Sequence, residues 1–199
     1  MSGQLTFDET MSGFDSPAST EPIRGYRLGR QQGLAIRGDF RISVEDMDRF
    51  IDSPEHEADL FGAFTAPGLG EDLEVVGGRF KLFRQDEGGV RQMIYQFGFE
   101  AEGGRFLLAG RKEIVDDPMA LDAIEDMTTL FVRIYRGDTE SPSSVAGAGI
   151  LRFHLHNLPG LLGSIRTPQD KDLDRLKVIH RFFGFVYGEL AQTYLFALK

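Results

Sequence analysis

The sequence predicts a mainly β fold: an antiparallel barrel of about eight strands followed by one long C-terminal helix. Three observations lead there. From Asp72 to Arg136, apolar and polar residues alternate through successive runs, as they do in half-buried antiparallel strands. Turn signals separate the runs, the clearest being Gly103-Gly104. Near the C-terminus the spacing of apolar residues changes from a period of two to i, i+3, i+4, the mark of an amphipathic helix.

Taken in order, LTFDETMSGF (5–14) alternates Leu5, Phe7 and Glu9 against Thr6, Asp8 and Thr10, and reads as the first strand. DSPASTEPIRG (15–25) holds two prolines among small polar residues and reads as an exposed loop. GLAIRGDFRISV (33–44) puts Leu34, Ile36, Phe40, Ile42 and Val44 on one face, with Gly38 in the row as a bulge or close approach. Met47, Phe50 and Ile51 then fall at helical spacing behind Glu45, Asp46 and Asp48, acids that favour a helix N-terminus, and Pro54 stops the helix. ADLFGAFTAPG (58–68) is the next strand. DLEVVGGRFKLFRQ, RQMIYQFGFEA, RFLLAGRKEIV and MTTLFVRIYRG are four strands in series, with the acidic loop DDPMALDAIED before the last. SPSSVAGAG (141–149) is a link, GILRFHLHN (149–157) a further strand and LPGLLGSIRTP (158–168) a short apolar helix or loop.

The last element spans about residues 170–197. Leu173, Leu176, Ile179, Phe183, Val186, Leu190 and Tyr194 form its expected apolar face, and Phe182 and Phe185 lie off that stripe, pointing to a second contact. No domain boundary interrupts residues 1–199, so the chain reads as a single barrel domain of the calycin or lipocalin type.

Composition narrows the function. The net charge of -9 disfavours nucleic acid and anionic membrane surfaces, which call for basic clusters. The absence of Cys removes disulfides, thiolate catalysis and Cys-based metal sites, and fits a cytoplasmic protein. The chain shows neither a signal peptide nor a transmembrane span. Phe is abundant at 17 and Trp is absent, a balance suited to a core of large rings or a greasy cavity.

The candidate chemistry lies on the strand rows. Glu9, Lys112, Glu113 and His154 are the candidate catalytic residues, because an ionisable group buried in a barrel can be tuned for acid–base work. Tyr95, Phe97, Phe99, Phe106, Phe131 and Tyr135 are the expected lining of an apolar ligand site. His154 and His156 would share a strand face with Arg152, but no third ligand is marked, so neither a metal nor another cofactor is expected. Arg79, Lys81, Arg111 and Arg133 form a basic row that could hold an anion or pair with Glu100, Glu102 and Glu113 across strands.

Several of these residues also carry a resemblance. Phe7-x-Glu9-x-Met11-x-Gly13-Phe14, Asp48-x-Phe50-x-Asp52-x-Pro54, Leu60-x-Gly62, Gly78-x-Phe80-x-Leu82-Phe83, Gly110-x-Lys112, Asp126-x-Thr128-Thr129-Leu130 and Gly147-x-Gly149-Ile150-Leu151 occur in that order. The arrangement is similar to an accessory domain found beside glucose–methanol–choline-type flavin oxidoreductases of the cholesterol-oxidase kind. That resemblance implies work near a sterol, lipid or other apolar substrate, with an oxidoreductase as a partner. The chain carries no flavin fingerprint, so the resemblance does not bring oxidoreductase activity with it.

Two readings follow. The first is a binding or accessory module for an apolar small molecule, docking on an oxidoreductase or a second copy through its C-terminal helix. The second is a cofactor-free isomerase or cyclase that holds an apolar substrate in one shape and moves protons with a few buried polar groups. Ionisable groups in the interior would favour the second, a wholly apolar interior the first, and a filled interior a protein-interaction role.

Overall fold

The computed structural model describes residues 3–86, 88–114, 128–168 and 172–196, and of residues 113 and 192–196 the backbone alone. Its strands are β1 (Leu5–Ser16), β2 (Ala35–Val44), β3 (Glu57–Ala66), β4 (Gly70–Glu74), β5 (Val76–Gln85), β6 (Arg91–Ala101), β7 (Gly104–Ile114), β8 (Thr129–Arg136) and β9 (Val145–Phe153). The helices are α1 (Pro22–Gln32), α2 (Met47–Asp52), α3 (Leu158–Ser164) and α4 (Asp172–Phe196). The strands pair antiparallel in the order β2-β1-β9-β8-β7-β6-β5-β3, and a further β2–β3 pairing closes the ring. The result is the eight-stranded antiparallel barrel that the alternation predicts. β4 lies in line with β5 on the same edge of β3, the edge opposite the one that pairs with β2.

Period-2 patterning selects the interior. On β1, Leu5, Phe7, Glu9 and Met11 are buried, and the residues between them are only half-buried. On β2 the buried row is Ile36, Gly38, Phe40, Ile42 and Val44. Gly38 is a close approach: a Cβ there would lie 2.2 Å from the Phe40 ring, which folds back over it. Rings then interlock across the middle of the barrel. Phe40 and Phe97 lie 5.4 Å apart, Phe64 and Phe97 5.7 Å, and Phe99 stacks on Phe106 at 5.6 Å. Burial of such rings is the main stabilising term of the fold.

The structure corrects the sequence reading in four places. The run from Asp72 to Gln85 is two strands. β4 folds back on β3, with Ala63 opposite Glu74, and β5 then pairs with the first half of β3, with Glu57 opposite Lys81. The break between them passes through Gly77 at φ 59°, and the chain keeps its direction along β3. Second, part of the expected loop 15–25 belongs to α1, which packs on the outside of β1 and β9. This helix has no apolar stripe to read because it docks through glycine. A Cβ on Gly25 would fall 1.9 Å from the Ala148 carbonyl oxygen, and one on Gly29 2.1 Å from that of Asp15. Third, β9 begins at Val145 and ends at Phe153, so His154 and His156 lie beyond it.

The fourth correction concerns α4. Val178 and Phe182 are buried and Phe185 is partly buried against the core, whereas Leu173, Leu176 and Phe183 are exposed. Phe182 and Phe185, off the expected stripe, thus hold the helix along with Ile179, Val186 and Leu190 of the stripe, which are partly buried against the core. Phe182 meets Phe7 at 5.8 Å and Phe50 at 6.4 Å. Phe185 meets Phe50 at 5.7 Å, His56 at 4.7 Å and Phe83 at 6.1 Å. Ion pairs Arg181–Asp48 and Arg91–Glu189 tie the same helix to α2 and β6. α2 forms as its acids predict, with Asp46 capping it by accepting from the Arg49 N–H at 3.0 Å. Together α2 and α4 cover the barrel end at which Phe7 lies.

Candidate functional site

One turn of inward residues below that covered end, the interior ceases to be apolar. Glu9 comes from β1, Tyr95 from β6 and Lys112 from β7. β1 and β6 lie diametrically opposite in the ring, so these side chains meet across the barrel rather than along a strand. Each sits in an apolar row. Phe7 and Met11 flank Glu9, Met93 and Phe97 flank Tyr95, and Gly110 and Ile114 flank Lys112. Lys112 is 2% exposed and Tyr95 2%. Phe80 closes on the Tyr95 ring at 5.0 Å, and Phe40 lies 6.3 Å from it.

The three polar groups act on one another. The Tyr95 hydroxyl donates to the Glu9 carboxyl. Lys112 Nζ stands over the Tyr95 ring, 5.0 Å from its centre. Glu9 Oε1 is fully buried and accepts no hydrogen bond. An unpaired buried oxygen of this kind costs about 1–3 kcal/mol, and more if charged. Burial pushes the Glu9 carboxyl above its ordinary value, opposed in part by Lys112 and by the Tyr95 hydrogen bond. The same burial pushes the Lys112 amine down, opposed by Glu9, and pushes the Tyr95 phenol well up. A carboxyl that holds its proton more readily faces an amine that gives its proton up more readily. That pairing can donate and accept protons within a water-poor interior.

Two of the four expected catalytic residues, Glu9 and Lys112, are thus brought together. His154 is not among them. It is exposed beyond the end of β9, where its Nε2 lies 3.0 Å from Ser12 Oγ and its ring stacks on His156 at 5.4 Å. The Glu113 side chain lies outside the described residues, as does the acidic loop 116–126. Of the expected lining, Tyr95, Phe97, Phe99 and Phe106 face the interior. Phe131 and Tyr135 do not: on β8 the inward row is Leu130, Val132 and Ile134. Phe131 and Tyr135 instead border an outer cleft of about 430 Å³ with Ile23, Arg111, Arg133 and Glu140. Their aromatic character resembled that of the core, and only the pairing register separates the two faces.

The basic row faces outward and is satisfied by neighbours other than the expected ones. Arg79 pairs with Glu57 and Asp59, Lys81 with Glu55 and Glu57, and Arg111 with Glu140. Arg133 donates to the Thr20 carbonyl at 3.0 Å. Among the described residues no group of three or more His, Asp or Glu side chains is placed to hold a metal ion.

Sequence reasoning missed Asp15. It sits under α1 at 6% exposure, and burial raises its carboxyl to about 6. Its neighbourhood is built from Gly29, Gly147 and Gly149, so no apolar signal marked it as buried.

Comparison of the chain with known protein families, with curated proteins and with solved structures gives no match. What the fold and site define is therefore a class: a closed antiparallel barrel with an ionisable group of three in its interior. No helix among the described residues is long and apolar enough to cross a membrane.

Proposed function

We propose that the barrel binds a mostly apolar small molecule carrying one hydrogen-bonding group, which engages Glu9, Tyr95 and Lys112. The observation that carries this reading is the orphaned Glu9 Oε1, buried in an otherwise apolar interior. A Gln, or a Leu, at this position would leave the barrel without a buried acid. A ligand hydroxyl or amine donating to Oε1 would offset the cost of leaving it unpaired. The Phe40, Phe80 and Phe97 rings around it suit the apolar remainder of a sterol-, lipid- or polyketide-like compound. Native mass spectrometry of the protein purified from its own host, followed by solvent extraction, tests the reading. A stoichiometric small molecule retained by the wild type and lost from Glu9→Gln is the expected result. An apo mass throughout, with no apolar compound bound on addition, overturns it.

A second reading has its own support. The opposed shifts of Glu9 and Lys112 are what an isomerase or cyclase needs to move a proton without a cofactor. Recovering the extracted compound after incubation with fresh protein separates the two. An altered isomer indicates turnover, and an unchanged compound indicates binding alone.

A further inference from the structure

We infer that Lys112 is a Schiff-base lysine, joining covalently to an apolar aldehyde or ketone held in the barrel. The inference rests on the reading of the interior as a ligand site and names the ligand's reactive group.

Lys112 occupies a position where a lysine has no structural reason to be. Its row on β7 is otherwise Phe106, Leu108, Gly110 and Ile114, all buried. A Leu or Met there would fill the same space without desolvating an amine. Lysines at barrel walls ordinarily extend their ammonium group to water, and Lys112 does not. Its attraction to Glu9 leaves the Oε1 oxygen of that carboxyl without a hydrogen bond. What the arrangement provides is an amine in apolar surroundings, an aromatic face beneath it and a carboxyl opposite with one free oxygen. An amine that gives up its proton more readily in such surroundings is the better nucleophile, the usual device of Schiff-base lysines.

The step balances with these groups. The Nζ lone pair attacks the carbonyl carbon, and the carbonyl oxygen takes a proton from the Glu9 carboxyl. Glu9, now a carboxylate, removes a proton from the nitrogen to leave a neutral carbinolamine. Returning that proton to the hydroxyl lets it depart as water while the nitrogen lone pair forms the C=N bond. Amine and carbonyl become water and a protonated imine, which gives the neutral imine when the Glu9 carboxylate takes its proton back, with no oxidant, reductant or metal. When the imine is protonated, the Tyr95 ring 5.0 Å from Nζ and the Glu9 carboxylate both stabilise the positive charge.

The lysine content makes the test clean. The chain has five lysines, at 81, 112, 171, 177 and 199. Lys81 and Lys177 lie in outer ion pairs with carboxylates. The protein is incubated with 2-naphthaldehyde and sodium cyanoborohydride, then analysed by intact mass and peptide mapping. Binding of 2-naphthalenemethanol, the unreactive alcohol, is measured in parallel by native mass spectrometry. The expected result is one naphthylmethyl group per chain, on Lys112, formed at least ten-fold faster than on any other lysine. Lys112→Arg, checked for its fold by circular dichroism, should lose that label. Glu9→Gln should slow labelling at Lys112 and, by removing an acid that the ligand engages, weaken binding of the alcohol. If the alcohol binds and Lys112 labels no faster than the surface lysines, the Schiff-base assignment is wrong and the ligand reading stands. If neither compound binds, the ligand reading fails and this assignment fails with it.

Discussion

Glu9 and Lys112 lie on strands separated by β8 and β9, yet their side chains face one another inside the barrel, and burial shifts them in opposite directions. Each is the nearest opposing charge that partly restores the other. Replacing Lys112 by Met should therefore raise the Glu9 carboxyl further, since the attraction that lowers it is gone. A carbon-detected NMR titration of the labelled Glu carboxyls reads this directly. Removing one partner of a buried pair costs about 3–5 kcal/mol, while replacing both with apolar or neutral groups is often close to neutral. Urea unfolding of Glu9→Gln, Lys112→Met and the double variant should give a coupling of at least about 1 kcal/mol. Strict additivity would mean that the two do not interact.

Tyr95→Phe isolates the hydroxyl. The ring stays against Phe80 and Phe40, but Glu9 loses the hydrogen bond that helps it ionise. Stability should fall by about 1–3 kcal/mol, and Glu9 should titrate at higher pH than in the wild type. A variant with unchanged Glu9 titration would show that the hydroxyl does not reach the carboxyl.

Much of this interior is legible in the sequence, for physical reasons that differ between residues. Glu9 and Lys112 stand out because each interrupts an apolar row of period two, and a strand offers a side chain only two directions. Tyr95 reads as one more ring of the lining, and nothing local shows that its hydroxyl meets a carboxyl from the opposite strand. Phe131 and Tyr135 read as interior for the same reason that Phe97 does. Their outward placement depends on the register of β8 against β7, where Arg111 opposes Phe131. α1 is hidden because Gly25 and Gly29 dock it, and close backbone approach leaves no hydrophobic periodicity. His154 follows an apolar–polar alternation that continues past the last ladder pair of β9, at Phe153.

Asp15 should make stability depend on pH in the mildly acidic range. Its folded carboxyl is raised to about 6, against about 3.9 in an unfolded chain. The folded state thus holds the proton more tightly, so this contribution is fully present below about pH 4 and is lost as pH rises through about 6. The loss amounts to no more than about 3 kcal/mol at neutral pH. Asp15→Asn removes the charge that burial opposes. It should be more stable than the wild type at pH 7 and show a flatter profile between pH 4 and 7. Thermal unfolding across that range decides the matter, and an unchanged slope would place the titrating group elsewhere.

The two faces of α4 give a last, contrasting pair. Phe182 is buried against Phe7 and Phe50, and so closes the barrel end just above the Glu9 layer. Phe182→Ala should cost about 3–5 kcal/mol, the loss expected for a buried ring that leaves a cavity. Leu176 belongs to the stripe that helical spacing favours, yet it is 62% exposed. Leu176→Ala should change stability by no more than about 0.5 kcal/mol in the monomer. The contrast also bears on the interior. If α4 seals that end, Phe182→Ala admits water to the Glu9–Lys112 pair, and the desolvation that separates their titrations from ordinary values weakens. Glu9 should then titrate closer to the normal carboxylate range. Guanidinium unfolding of both variants, with the Glu9 titration repeated in Phe182→Ala, tests each part. A costly Leu176→Ala beside a harmless Phe182→Ala would mean that the helix packs by its other face.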